Sequence, residues 1–208
     1  MLIVTKKNIF AKDQKERMKK VIIILVISLI CINGYSQSYL GLKGSFSIST
    51  LTTGNVGSRP GFDVGAIMFT PISDSWYFQP NLLLSLNGAK SAENYDPDFS
   101  AYFYSIETPL LFSYRLGDEQ VSFGFDVGVF ARYALSGKYW TDTAEGRIRP
   151  DLFDFHKRFD VGPQVGISVI ANGIYMGCGV QCGLIKPWDN MRGNYLNYNL
   201  SFGYLFEL

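Results

Sequence analysis

The chain has one histidine, three cysteines and no apolar run approaching the 20 residues that a membrane-crossing helix needs. A single histidine leaves little material for a histidine-based catalytic or metal centre. Excess charge of one sign is missing as well: 19 Lys+Arg against 18 Asp+Glu give a net charge of +1. That excludes the basic footprint of a nucleic-acid binder. Two of the cysteines, Cys178 and Cys182, stand four apart on one extended segment, so their Cα atoms lie about 13 Å from each other. A disulfide needs less than about 7 Å. Both read as small apolar residues, unbridged.

What is present begins with a leader. Met18, Lys19 and Lys20 precede the apolar run 21–32, and Gly34 and Ser36 then lead into Gln37. A basic start, a short apolar core and small residues at the junction predict a secretory signal peptide, with Met18 a better start than Met1. Cys31 follows Ile30 rather than a small residue, so a lipidated cysteine is not expected there. The expected domains are therefore 1–36, an N-terminal extension and signal peptide, and 37–208, a single folded domain. Removing 1–36 takes away seven of the 19 basic and two of the 18 acidic residues, leaving 12 against 16, a net charge of −4.

The remainder alternates with period two, the signature of strands. In 195–208, Leu196, Tyr198, Leu200, Phe202, Tyr204, Phe206 and Leu208 share one face; Asn197, Asn199, Ser201, Gly203, Leu205 and Glu207 share the other. Seven further segments repeat the scheme: 39–49, 61–70, 76–88, 102–116, 121–135, 159–169 and 174–184. Lys43, Asp63, Glu107, Arg115, Asp126, Arg132 and Asp160 all fall on the small, glycine-rich face, opposite the Phe, Tyr and Leu. A soluble sandwich or lipocalin would place its charges on the other side. A greasy outside around a polar inside fits lipid as the solvent.

The links agree, short at 71–75, 117–120 and 172–173 and long at 50–60, 89–101, 136–158 and 185–194. Short periplasmic turns and longer extracellular loops alternate in this way in outer-membrane barrels. Trp76, Tyr114 and Trp140 fall near strand ends, where interfacial aromatics are expected. The fold expected is an all-β, eight-stranded antiparallel up-and-down transmembrane β-barrel in the outer membrane.

Three strands also carry a family resemblance. YFQPNLLLSLNGAK (77–90), SIETPLLFSYRL (105–116) and RFDVGPQVGISV (158–169) resemble strands of the PorT-like outer-membrane β-barrel family of Bacteroidota. Asn81 stands where that family usually has an acid, and Thr108 where it usually has an aliphatic residue. The ending, with Ser201, Gly203, Phe206 and Leu208, resembles the signal read by the barrel-assembly machinery. The resemblance implies an integral outer-membrane barrel, for most members without an assigned activity. Its namesake is associated with a secretion and gliding system, a role that fold likeness alone does not transfer.

Inside the barrel, Glu107, Arg132, Lys43 and Asp126 are the candidate ion pair or plug. If Leu116 pairs with Val121, Glu107 lies opposite Phe130 and diagonal to Arg132, roughly 7–8 Å away. Eight strands leave an interior that side chains fill, which favours a plug over a gate or narrow polar pathway. In the longest link, Tyr139, Trp140, Phe153 and Phe155 form the candidate loop contact surface.

No catalytic residue, metal or cofactor is expected. His156 shares its strand face with no nearby serine and reads as a solvated loop histidine rather than half of a base–nucleophile pair. Neither Asp151, Asp154, His156 and Asp160 nor Glu93, Asp96 and Asp98 match the spacing of a cation-binding loop. The partners expected are outer-membrane lipids and lipopolysaccharide, the barrel-assembly machinery during insertion, and a protein at the extracellular loops. Alternatives are an accessory role in secretion, a lipid-modifying enzyme or a narrow pore.

Overall fold

The computed structural model describes residues 38–52, 56–91, 99–118, 120–143, 146–148, 152–154, 156–187 and 193–208. The predicted signal peptide lies outside them. Among the described residues the alternating segments form eight long strands: β1 (Tyr39–Leu51), β2 (Arg59–Pro71), β3 (Trp76–Ser91), β4 (Phe99–Gly117), β5 (Val121–Thr143), β6 (Phe159–Ala171), β7 (Ile174–Cys182) and β8 (Tyr195–Glu207). Each pairs antiparallel with its neighbours in sequence, and β8 pairs with β1, so the sheet closes. Short pieces at Val56–Gly57 and Gly146–Ile148 pair antiparallel with the last residues of β3 and β5.

Register fixes the barrel's width. From Tyr39 the pairing leads to Phe69 on β2, and the β2–β3 step falls within the run bounded by Ile67–Asn81 and Thr70–Phe78. It continues through Gln79, Leu111, Gly128, Gln164, Gln181 and Asn197, and returns to β1 at Ser49, ten residues past Tyr39. Such a stagger over eight strands corresponds to a tilt of roughly 35–45° and an interior only wide enough for side chains.

Which face is inside follows from exposure. Leu42, Phe46, Phe62, Leu84, Phe125 and Phe202 are each more than half exposed on the outer surface. Lys43, Asp63, Glu107, Arg115, Asp126, Arg132 and Asp160 are all buried, none above 9 % exposed. With each long strand paired to a neighbour on both sides, this arrangement suits hydrocarbon outside and polar groups within.

Two departures from the sequence expectation have local causes. The turn after β4 closes one residue further on, with Gly117 paired to Ser122. The Asp118 carboxylate accepts from the amides of Gln120 (3.0 Å) and Val121 (2.8 Å), and Gly117 adopts φ +126°, open to glycine but not to larger residues. The expected turn had put Glu107 diagonal to Arg132; the observed one sets them face to face. The second departure is β5, expected to end at Leu135 but running to Thr143. A bulge shifts its register between Ser105–Ala134 and Tyr104–Ser136, so the alternation changes phase at Leu135 and resumes beyond it. At the other end, Asn172 (φ 48°) and Gly173 (φ 81°) form the two-residue hairpin turn that the Asn-Gly pair predicts.

Candidate functional site

A polar network crosses the lumen. Arg132 Nε donates to Glu107 Oε2 at 2.8 Å, and Arg132 Nη2 donates to Gln181 Oε1 at 2.9 Å. Gln181 Nε2 donates in turn to Glu107 Oε1 and to Gln164 Oε1. Asn197 turns its amide oxygen to Arg132, accepting from Nη2 (2.6 Å) and Nη1 (3.0 Å), and gives its NH2 to Ser49 Oγ at 2.6 Å. The reverse orientation would set two donors against each other. Ser49 Oγ donates to Asn87 Oδ1 at 3.0 Å. The chain of bonds therefore joins β1, β3, β4, β5, β6, β7 and β8. It is a transverse strut, and Arg132 is its hub.

Lys43 and Asp126 are interior but stand apart from that hub. Among the described residues Lys43 has no carboxylate within ion-pair distance; its Nζ lies 5.8 Å from the centre of the Tyr175 ring. Asp126, 6 % exposed, likewise makes no ion pair among them. Arg115 is held by hydroxyls, Nε to Ser122 Oγ at 3.0 Å and Nη1 to Ser168 Oγ at 3.2 Å, with its guanidinium 5.4 Å from the Phe69 ring. The four residues singled out by sequence thus divide into one bonded pair and two separate buried charges.

The interior is polar only in its middle. At the short-turn end Ile67, Phe69, Tyr175 and Leu205 pack into a floor, with Phe69 and Tyr175 rings 6.0 Å apart. At the long-loop end Leu51, Ala89, Ala101, Phe103, Ala134, Leu152 and Tyr195 form a roof. Sequence reading missed both layers. The available signal was that Ile67, Phe69, Phe103, Tyr175 and Leu205 interrupt otherwise small or polar rows near the strand ends.

His156 belongs to the roof and is not a solvated loop residue; it is 6 % exposed. Its Nε2 lies 3.2 Å from the Tyr195 hydroxyl, and its ring lies 5.2 Å from that of Phe103. Residues 152–154 fold as a short 3-10 turn that carries Leu152 into the barrel mouth, and the His156 amide donates to the Leu152 carbonyl at 2.9 Å. Burial pushes the imidazole down to about 4, so it is neutral at ordinary pH. Between Arg132, His156, Asp160 and Tyr195 about 10 Å³ of space remains, at most one water's worth.

The expected loop contact surface is dispersed. Tyr139 faces inward against the roof, while Trp140 lies outside on the Tyr102 ring, 5.7 Å between centres. Phe153 sits beneath the Arg158 guanidinium at 3.7 Å; Phe155 lies outside the described residues. The bulge causes the split, because Tyr139 and Trp140 are strand neighbours on opposite faces rather than members of one loop. Of the acidic loop residues, Glu93, Asp96, Asp98 and Asp151 also lie outside the described residues. Asp160 accepts from the Val161 and Ile185 amides, and no three potential metal ligands gather among the described residues.

The closed eight-stranded barrel has a polar middle and an apolar exterior, and a family likeness in sequence accompanies it. The model of the outer membrane protein beta-barrel domain matches residues 15–186. The chain belongs to this family. It is an outer-membrane protein, so the short-turn end faces the periplasm and the long-loop end the outside. No curated protein matches the chain. Among solved structures it is similar to Ail, the attachment invasion locus protein of Yersinia pestis, at 12 % identity and TM-score 0.43, covering 82 % of this chain and 99 % of that one. It is also similar to OprG from Pseudomonas aeruginosa, at 11 % identity and TM-score 0.45, covering 82 % and 96 %. Neisserial surface protein A gives 14 % identity and TM-score 0.43, covering 82 % and 97 %.

Proposed function

We propose that this outer-membrane barrel is a non-conducting, non-enzymatic anchor that works through its extracellular end. The transverse strut carries the reading. Glu107, Arg132, Gln181, Gln164, Asn197, Ser49 and Asn87 bond across the lumen, with an aromatic floor below and a roof above. A strut of this kind opposes ion passage, because a permeant ion would have to replace several charge-assisted hydrogen bonds at once. Against lipid chemistry, the one histidine sits beside a tyrosine hydroxyl under the roof, away from the bilayer surface where acyl chains would be presented.

Two measurements test the reading. Purified protein in planar bilayers should give no steady current, and a steady current that Glu107→Gln alters would overturn the plug. Lipid A from cells overexpressing the protein should be unchanged in mass; a missing or added acyl chain would overturn the non-enzymatic part.

The PorT-like strands at 77–90, 105–116 and 158–169 favour a second reading, an accessory component of a secretion system. Co-purification with a translocon would support it, and unaltered secretion in a deletion strain would remove it.

A further inference from the structure

The outer surface changes character just above the hydrocarbon band on β3, β4 and β5. Leu82 and Leu84 point into lipid; two rungs higher the outward positions become Gly88 and then Lys90. Register lines these up with the neighbouring strands. Gly88, Tyr102 and Lys138 form one outward rung, and Lys90, Ser100 and Trp140 the next. Neither rung contains an acid. Lys90 and Lys138 are exposed, one on each side of the tyrosine strand. Strands spaced about 4.8 Å apart put these two lysine backbones roughly 12 Å from each other, so both ammonium groups can close on one anionic headgroup.

Arg59 completes the patch. Its guanidinium lies 5.1 Å from the Tyr102 ring centre and 5.6 Å from that of Trp140, and those two rings meet edge to face at 73°. Nη1 donates to Ser100 Oγ and the Ala101 carbonyl; Nη2 and Nε donate to no protein acceptor among the described residues. Gly88 leaves the space the arginine crosses, since a Cβ there would stand 2.8 Å from Arg59 Cδ. A cation clamped between aromatic faces, with donors to spare, is prepared for an anion rather than merely solvated. Ordinary interfacial anchoring explains the aromatics. It does not explain three cations gathered around them.

We infer that Arg59, Lys90 and Lys138, set around Tyr102 and Trp140, form a binding site for the phosphate groups of lipopolysaccharide in the outer leaflet. The occupant follows from position. The patch faces outward, directly above side chains that meet hydrocarbon, on the end of the barrel that bears the long loops. What lies beside it there is the phosphorylated headgroup of the surrounding lipid, and its charge is complementary. The site lies on the outer wall and is independent of whether the lumen conducts.

The test uses the full barrel in phosphatidylcholine nanodiscs doped with either bis-phosphorylated lipid A or its dephosphorylated form, with co-purifying lipid measured by native mass spectrometry. Wild type should retain the bis-phosphorylated lipid about a hundredfold over the dephosphorylated one, roughly fivefold for each of the three charges. Lys90→Gln with Lys138→Gln leaves the arginine packing intact and should lower retention roughly fivefold per charge removed. Adding Arg59→Gln should abolish the preference. Lys186→Gln, exposed in the link between β7 and β8, should change nothing. Equal retention of both lipids by wild type would overturn the site, as would unchanged retention in the triple variant with normal heat-modifiable mobility. Displacement of the lipid by millimolar inorganic phosphate would make it a free-anion site and overturn the lipid assignment.

Discussion

Glu107 and Arg132 face each other directly across β4 and β5, and each is only 2 % exposed. A buried pair of this kind adds less stability than its Coulomb energy suggests, because both ions were taken out of water. Losing one partner is a different matter. Glu107→Ala leaves the hub guanidinium uncompensated and should cost about 3–5 kcal/mol. Glu107→Gln combined with Arg132→Met should cost much less than either single change, since no stranded charge remains. Urea midpoints of the barrel in lipid vesicles measure all four variants, and additive effects of Glu107→Gln and Arg132→Met would show that the pair is not coupled.

Leu200 stands opposite Phe46 on β1 and Cys178 on β7, half exposed in the middle of the outward face. Arginine at this depth should cost about 2–4 kcal/mol if the face meets hydrocarbon. The guanidinium has no lumen to turn into, because Ser45 and Ser201 hydroxyls, 3.0 Å apart, already join β1 and β8 on the inner side. Folding yield and urea midpoint of Leu200→Arg in vesicles give the answer, and wild-type values would reverse the inside–outside assignment.

The eight strands and their orientation were legible because lipid and lumen impose opposite preferences on alternate residues, and a period of two reports them directly. Trp76 and Tyr114, expected at an interface, do meet at the periplasmic end, 5.1 Å between ring centres. What stayed hidden depended on single residues acting out of pattern. Asp118 capping the turn changed a diagonal Glu107–Arg132 contact into a direct one, and Leu135 in the bulge turned a supposed loop into strand. The hub's other partners, Gln181, Gln164 and Asn197, lie on strands far off in sequence. Nothing local in the sequence marks a glutamine as bonded to an arginine 49 positions away. His156 was misread for the same reason: its burial is created by Phe103, Leu152 and Tyr195, which only the closed barrel brings together.

His156 lies outside the membrane-spanning strands, and its burial makes the roof pH-sensitive in one direction. In the unfolded chain its imidazole titrates near 6.5; in the folded barrel it is pushed down to about 4. The folded-state value is the lower of the two, so the unfolded state binds the proton first as pH falls. Stability contributed by neutral His156 is complete above about pH 6.5, declines below that and is lost by about pH 4. His156→Phe should flatten the pH dependence of unfolding across this window relative to wild type. Carboxylates titrate there in both proteins, so the difference between the two curves isolates the histidine. Parallel curves would mean the ring is already wet.

Cys178 offers a probe of the outer wall that needs no added charge. It is free and exposed on β7, between Ile167 on β6 and Leu200 on β8, in a shallow apolar groove of about 310 Å³ lined by Phe123, Phe125 and Met176. In a soluble protein an exposed thiol meets water; on this face it should meet acyl chains. A nitroxide attached to Cys178 in the unfolded chain, with Cys31→Ser and Cys182→Ser to remove competing thiols, can be refolded into vesicles and examined by paramagnetic relaxation. Oxygen concentrates in hydrocarbon and a charged nickel chelate in water. The label should therefore relax strongly with oxygen and weakly with the chelate, whereas a label at Lys90→Cys, in the proposed headgroup patch, should respond to both. Strong chelate relaxation at Cys178 would mean that water covers the aromatic face, and the placement of Glu107 and Arg132 in a lipid-enclosed lumen would fall with it.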